Sequence, residues 1–155
     1  ETDFAKMLVV RGPTGVGKTQ LLRRMLQENF PVVDLEGLAN HRGSAFGALG
    51  LGDQPSQKMF EARLWQRLEQ LRRDEYLLTE GESKHIGKVV IPERLHQAML
   101  TGVSIWVEAP LEYRIQVILQ DYPARDAMAE AFKPAISALK ERLGKQVVAE
   151  LLDLL

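Results

Sequence analysis

The fold is decided by Gly12-Pro13-Thr14-Gly15-Val16-Gly17-Lys18-Thr19, a stretch that satisfies the phosphate-binding loop pattern G-x-x-x-x-G-K-[ST] at every fixed position. The apolar run Met7-Leu8-Val9-Val10 precedes it and predicts a buried strand. After it, apolar residues recur at helical spacing from Leu21 to Leu26. Because strand, glycine loop and helix in this order are the context that such a loop requires, a chance glycine-rich turn is the weaker interpretation.

The loop predicts a magnesium-dependent site for an oligophosphate. Its glycines allow backbone N–H groups to converge on the phosphates, and the helix that follows adds the positive end of its dipole. We expect the Lys18 ammonium to reach the terminal phosphates and the Thr19 hydroxyl to bind Mg²⁺. The phosphate-binding residues predicted from the sequence are Gly12, Thr14, Gly15, Val16, Gly17, Lys18 and Thr19.

Three acids follow apolar runs that predict further strands. Asp34 and Glu36 come at the end of a predicted strand over residues 32–35, and Glu80 ends the run Tyr76-Leu77-Leu78-Thr79. Ligands of parallel α/β sheets bind at the carboxyl ends of the strands. Glu80 or Asp34 is therefore expected to organise Mg²⁺, and Glu36 is a candidate for holding a substrate hydroxyl. For Asp34 and Glu36, one of the two is alternatively a solvated acid.

A polar, glycine-rich loop is predicted over residues 37–57, longer than most connections in a compact domain. His41, Arg42 and Ser44 can bind an anion or a sugar edge, and Gln54 and Gln57 can hydrogen-bond a base or a phosphate. Solvated surface is the competing interpretation. A second polar loop is predicted over residues 81–88.

A last strand is predicted over residues 103–107, followed by a helix that carries Arg114 one turn in. Proteins with a phosphate loop often direct an arginine from this position toward the ligand, so Arg114 is a candidate for substrate binding as well as for a purely structural role. Between these elements, a helix with Phe60 and Leu64 in its apolar stripe carries several arginines. These arginines form either a solvated face or a contact to a nucleic-acid backbone.

Composition bounds the class of protein. The chain has 155 residues, a net charge of −1 and no cysteine, which predicts one globular domain without disulfides or a thiol intermediate. No apolar run is long enough to span a bilayer, so we expect no membrane contact and a cytoplasmic location. The chain begins at Glu1 and ends within an apolar pattern, which leaves open whether it is an excised domain or a naturally split protein.

The elements together predict an α/β fold, a parallel sheet flanked by helices as in P-loop NTPases, with a helical C-terminal segment. We expect the α/β domain over residues 1–124 and the helical segment over residues 125–155. The sequence lacks the N-K-x-D and T-K-x-D motifs that read guanine, which argues against GTP. The segment after Arg114 offers only Arg125 for a lid, which makes an ATP-dependent kinase less favoured.

Three stretches of the chain carry a resemblance to one family. They are Asp34-Leu35-Glu36-Gly37-Leu38-Ala39-x-His41-Arg42-Gly43-Ser44, Gln54-Pro55-Ser56-Gln57 and Glu80-x-Glu82-Ser83. This pattern resembles the P-loop domain of tRNA 2-selenouridine synthase over roughly residues 9–155. The rhodanese-like part of that family, with its cysteine, has no counterpart in this sequence.

The resemblance implies a transferase that modifies 2-thiouridine at the tRNA wobble position. In that family, geranyl diphosphate first alkylates the sulfur, and selenium from selenophosphate then replaces the S-geranyl group. Selenation would need a separate or missing rhodanese-like chain or domain. On this basis Lys18, Thr19 and Arg42 are expected to bind the diphosphate, with Glu80 or Asp34 at the magnesium ion.

The resemblance also suggests contacts to the prenyl donor or the wobble nucleoside from His41, Gln54, Gln57 and Ser83. The arginine-bearing helix becomes the candidate surface for tRNA. Two alternatives remain open: an ATP-dependent small-molecule or nucleoside kinase, and a non-catalytic tRNA-binding module that keeps the loop as a phosphate-binding element.

Overall fold

The computed structural model describes residues 6–122 and 129–155. Its elements in chain order are β1 Lys6–Arg11, α1 Lys18–Gln27, β2 Val32–Val33, α2 Leu35–Ala39, α3 Gln57–Gln70, β3 Tyr76–Glu80, β4 His85–Ile86, β5 Val89–Val90, α4 Glu93–Thr101, β6 Val103–Trp106, α5 Leu111–Asp121, α6 Ala129–Ala138, α7 Lys140–Leu143 and α8 Lys145–Asp153.

A four-stranded parallel sheet in the order β2-β3-β1-β6 forms the centre of the molecule. Successive strand residues point to opposite sheet faces, so Val9 packs into one apolar cluster and Val10 into the other. The same alternation separates Leu77 from Leu78. The predicted α/β architecture is confirmed, with the phosphate loop between β1 and α1.

Helix boundaries follow local signals in the sequence. Ser56 caps α3, since its hydroxyl accepts a hydrogen bond from the Met59 N–H. Phe60 and Leu64 of α3 are buried against the core. Pro92 precedes α4 and Gly102 follows it. These helices hold the strands whose carboxyl ends carry the candidate site.

Two local predictions are wrong. The second strand ends at Val33 rather than at Leu35, because Asp34 caps α2 by accepting a 2.7 Å hydrogen bond from the Gly37 N–H. The predicted polar loop over residues 81–88 contains β4, which pairs antiparallel with β5. Ile86 and Val89 of this hairpin are buried in the core, so a short apolar pair outweighs the polar composition.

The helical C-terminal segment is present as α6, α7 and α8, with Ile136 and Val148 buried. The Phe132 ring of α6 lies 5.8 Å from the Phe46 ring. Residues 125–128, at the predicted start of this segment, lie outside the described residues. They include Arg125, the arginine considered for a kinase lid. Within the described ranges, no helix combines the length and apolarity that crossing a membrane requires.

Candidate phosphate-binding site

The phosphate loop closes around the Lys18 ammonium. Nζ donates to the carbonyl oxygens of Gly12, at 2.8 Å, and Pro13, at 3.3 Å. Lys18 is also the first residue of α1, so the N–H groups of the first turn face the same region as the ammonium. The loop therefore concentrates positive charge and N–H donors at one point, as binding an oligophosphate requires.

Two glycines of the loop are required by their surroundings. Gly12, at φ 154°, lies so close to the residue after β6 that a Cβ atom would be 2.3 Å from the Val107 carbonyl oxygen. Gly15, at φ 79°, would place its Cβ 2.5 Å from the Arg114 carbonyl oxygen. Both the left-handed backbone and the lack of space exclude a side chain, so the loop is packed tightly between β6 and α5.

A hydrogen-bonded series leads from Thr19 to the end of β3. The Thr19 hydroxyl donates to Glu36 Oε2 at 3.0 Å, and the Glu36 backbone N–H donates to Glu80 Oε1 at 2.6 Å. Glu36 is therefore the acid in contact with Thr19, and Glu80 lies behind it. Asp34, the other acid expected near the metal, is engaged as the cap of α2.

Burial raises the pKa values of the acids near Thr19. Desolvation is the main cause that raises the pKa of Glu80 to about 8, and the charge of Asp34 adds to it. Desolvation followed by the charge of Glu82 raises the pKa of Glu36 to about 7. Desolvation also raises the pKa of Glu82, while Lys18 opposes the shift. A cation arriving nearby would favour the ionised forms of all three acids.

The donor set fits magnesium bound jointly with a phosphate ligand. The Thr19 hydroxyl donates a hydrogen bond to Glu36, so the lone pairs of the hydroxyl oxygen remain free for a cation. Oε2 of Glu80 is buried and has no hydrogen-bond partner within the described ranges. Among those residues, no group of three or more His, Asp or Glu side chains could hold a metal ion. Remaining ligands would thus come from phosphate oxygens and water, as is usual for Mg²⁺.

A cavity of about 330 Å³ opens next to the loop. Nine of the predicted site residues line it: Thr14, Gly15, Gly17, Lys18, Thr19, Glu36, His41, Arg42 and Ser44. The other predicted residues are outside its lining: Gly12, Val16, Asp34, Gln54, Gln57, Glu80, Ser83 and Arg114. Gly12 and Val16 still belong to the loop, and the Val16 side chain is buried.

His41 enters the cavity as a neutral ring. Its Nδ1 accepts a 3.1 Å hydrogen bond from the Gly43 N–H, which places the proton of the neutral ring on Nε2. Burial, and then the charge of Arg42, lowers the pKa of His41. Gly47 and Gly87 enclose the ring, since a Cβ on either would lie within 2.7 Å of it. His41 can therefore offer an N–H donor to a ligand without carrying charge.

The two glutamines of the predicted binding set have structural roles. Gln54 donates to the carbonyl oxygens of Ala39 and Ile86 and accepts from the Lys88 N–H. Gln57 donates to the Val90 carbonyl and accepts from its N–H. Each amide thus ties α2 or α3 to the β4–β5 hairpin.

Ser83 and Arg114 also contact backbone. The Ser83 hydroxyl donates to the His85 carbonyl oxygen at 2.6 Å. Arg114 Nε donates to the Thr14 carbonyl oxygen at 2.9 Å, so it holds the phosphate loop from α5. Arg114 lies in the first turn of α5, as expected. It contacts the phosphate loop, and it does not line the cavity where a ligand would bind.

Sequence reasoning missed several residues that line the cavity, among them Glu82 and Tyr122. Glu82 comes two residues after Glu80, and a second acid at that spacing is a signal that could have identified it. Tyr122 directly follows α5 and packs against the loop that carries Arg42, with the Arg42 guanidinium carbon 4.9 Å from the ring centre. Only the tertiary structure brings Tyr122 and Arg42 together.

The parallel sheet and the loop define a P-loop α/β domain with an anion site at the carboxyl ends of its strands. Residues 5–155 match the family model described as the tRNA 2-selenouridine synthase AAA domain. The chain therefore belongs to the tRNA 2-selenouridine synthase family, in which it corresponds to that domain.

Individual relatives agree with the family match. The chain is 38% identical to the tRNA 2-selenouridine synthase of Nitrosomonas europaea over 98% of its own length and 42% of that protein. It is 40% identical to the Nitrosomonas eutropha protein of the same name, over 81% of the chain and 32% of the relative. For Shewanella frigidimarina the identity is 35%, over 97% and 44%. The chain thus spans less than half the length of these relatives.

Proposed function

We propose that this chain is the diphosphate-binding part of a tRNA-modifying transferase that acts on wobble 2-thiouridine. The observation that carries the proposal is the phosphate loop, with Lys18 and Thr19, opening into a cavity that belongs to a tRNA 2-selenouridine synthase domain. The names of the relatives support tRNA as the partner. The donor proposed for this cavity is geranyl diphosphate.

The proposed reaction is an alkyl transfer. The sulfur of 2-thiouridine bonds to C1 of geranyl diphosphate, the C1–O bond breaks, and pyrophosphate leaves while the ring nitrogen N3 loses its proton. Negative charge grows on the leaving oxygens, where loop N–H groups, Lys18 and Arg42 would stabilise it. Magnesium held at Thr19 would supply further charge neutralisation. Lys18 and Thr19 belong to the phosphate loop, and Arg42 lines the same cavity.

Three apolar side chains in an otherwise largely polar lining support a prenyl rather than a sugar-linked diphosphate. Leu51, Val117 and Ile118 line the cavity together with the polar residues around Lys18. Burying a short hydrocarbon chain against such side chains is favourable by roughly 25 cal/mol per Å². Against a guanine nucleotide, the sequence lacks the guanine-reading motifs.

Replacement of the S-geranyl group by selenium needs chemistry from elsewhere. The chain contains no cysteine, so it has no thiol for handling selenium from selenophosphate. We assign this step to a rhodanese-like domain, either on a separate chain or in a longer form of the protein. The present chain would contribute the phosphate site for the donor.

The test is to incubate the chain with 2-thiouridine tRNA, geranyl diphosphate and Mg²⁺, to digest the tRNA, and to identify its nucleosides by mass spectrometry. We expect S-geranyl-2-thiouridine from the unsubstituted chain and from Lys145→Ala, an exposed control, but not from Lys18→Ala. Absence of product with tRNA binding that survives Lys18→Ala would favour a non-catalytic tRNA-binding module. ATP turnover stimulated by a nucleoside would favour a small-molecule kinase.

A further inference from the structure

Arg42 is a half-buried cation in the phosphate cavity. Its NH1 donates a 2.7 Å hydrogen bond to the Leu49 carbonyl oxygen. Within residues 6–122 and 129–155, Arg42 takes part in none of the ion pairs with a carboxylate. Most of its N–H donors therefore remain for an anionic ligand.

Tyr122 fixes the segment that carries this cation. Its ring lies 4.9 Å from the Arg42 guanidinium carbon, in the range of a cation–π contact. Its hydroxyl is 2.8 Å from Ser44 Oγ, and Ser44 Oγ also accepts the Phe46 N–H at 3.2 Å. One aromatic side chain thus contacts both the charged group and the turn that follows it.

The same helix also holds the phosphate loop. Arg114, near the start of α5, donates to the Thr14 carbonyl oxygen, and Tyr122 follows its last residue. Two anion-binding elements that are distant in sequence are therefore attached to one rigid helix. Contacts from α5 and the residue after it therefore reach both the phosphate loop that carries Lys18 and the segment that carries Arg42.

We propose that Tyr122 is a positioning residue that holds the Arg42 guanidinium in place for a diphosphate. The proposal rests on the proposed function of the cavity. Tyr122 acts through Arg42 and makes no contact of its own with the phosphates. Its contribution to binding should vanish when Arg42 is absent.

The experiment is a double-mutant cycle in which calorimetry measures the binding of inorganic pyrophosphate in the presence of Mg²⁺. Arg42→Ala should weaken binding about tenfold or more, and Tyr122→Leu about fivefold. In the Arg42→Ala background, Tyr122→Leu should add less than about twofold. Tyr122→Phe keeps the ring and should bind pyrophosphate more tightly than Tyr122→Leu.

Phe132→Leu is the matched control. Phe132 and Tyr122 both pack against the Phe46 ring, so this substitution alters the same aromatic cluster at a residue other than the one stacked on Arg42. It should lower the unfolding temperature and leave pyrophosphate affinity unchanged. Additive effects of Arg42→Ala and Tyr122→Leu would overturn the proposal, as would full affinity in Tyr122→Leu. If Tyr122→Leu does not fold, Arg42→Lys keeps the charge but not the planar stacking group, and unchanged affinity in that variant would overturn it.

The cycle separates this inference from the proposed function. Failure of the unsubstituted chain to bind pyrophosphate would refute the diphosphate site itself. Binding that depends on Lys18 but shows no coupling between Arg42 and Tyr122 would refute only the positioning role.

Discussion

The Thr19 hydroxyl donates a 3.0 Å hydrogen bond to Glu36 Oε2, which joins the end of the phosphate loop to the first turn of α2. A hydroxyl that donates its proton to a carboxylate is oriented with its lone pairs available to a cation. The Glu36 backbone N–H in turn donates to Glu80, so the buried acid at the end of β3 fixes the position of Glu36.

Glu36→Gln should therefore lower the affinity for the magnesium ion that phosphate binding requires. Gln retains an oxygen that accepts the Thr19 proton but removes the negative charge beside the cation. We expect the Mg²⁺ concentration for half-maximal pyrophosphate binding to rise about tenfold, measured by calorimetric titration. Glu69→Gln, an exposed acid on α3, should behave as the unsubstituted chain. An unchanged magnesium requirement in Glu36→Gln would contradict a role for Glu36 at the metal.

Glu80 should make the protein less stable as the pH rises. The folded pKa of about 8 exceeds the ordinary value of 4.5, so the folded state holds more protons between these two values. The free energy of unfolding then falls as the pH rises from about 4.5 to about 8, by at most ~1.4 kcal/mol per pH unit for one proton.

Glu80→Gln provides the comparison for this pH dependence, because it preserves shape without titrating. Urea denaturation of both proteins at a series of pH values, without magnesium, measures the difference. The Gln variant should show a flatter decline over that window. Parallel curves for the two proteins would show that Glu80 does not titrate there.

Gly15→Ala should destabilise the protein through a clash as well as through backbone strain. The added Cβ would approach the Arg114 carbonyl at 2.5 Å, whereas Gly144, also at positive φ, has no atom within 4 Å. We expect a loss of about 1 kcal/mol for Gly144→Ala and of about 2–4 kcal/mol for Gly15→Ala, measured by urea denaturation. Equal losses would mean that the loop has room to shift away from α5.

The arginines of α3 and the turn after it should divide into two groups. Arg67 Nε donates to the Val32 carbonyl oxygen at 2.9 Å, whereas Arg63, Arg72 and Arg73 are exposed. Joint substitution of the exposed three by Ala should weaken tRNA binding and reduce the slope of log affinity against log salt by about 2. Arg67→Ala should instead lower the free energy of unfolding by about 1 kcal/mol. A salt slope unchanged by the triple substitution would place the tRNA surface elsewhere.

Local patterns in the sequence predict the elements that carry the phosphate chemistry. The loop motif places Lys18 and Thr19, and the apolar run before Glu80 predicts β3 with its terminal acid. Each of these features depends on neighbours in the chain, through glycine conformation, strand burial and helix capping. They are therefore predictable from the sequence.

The partners of the polar side chains could not be derived in this way. Gln54 and Gln57 look like ligand-binding residues in a loop, yet their amides satisfy the backbone of the β4–β5 hairpin. No sequence motif marks Tyr122 as a site residue, and its contact with Arg42 joins residues 80 positions apart along the chain. Such contacts follow from how α5 packs next to the loop, which periodicity does not encode.

The central claim is that the loop binds a prenyl diphosphate rather than a nucleotide. The most direct test of this claim is a calorimetric competition experiment. It measures how well geranyl diphosphate and ATP each displace pyrophosphate from the magnesium-loaded chain. We predict that geranyl diphosphate binds at least about tenfold more tightly than ATP, and that Lys18→Ala abolishes its binding. Tighter binding of ATP, or geranyl diphosphate binding that survives Lys18→Ala, would contradict the claim.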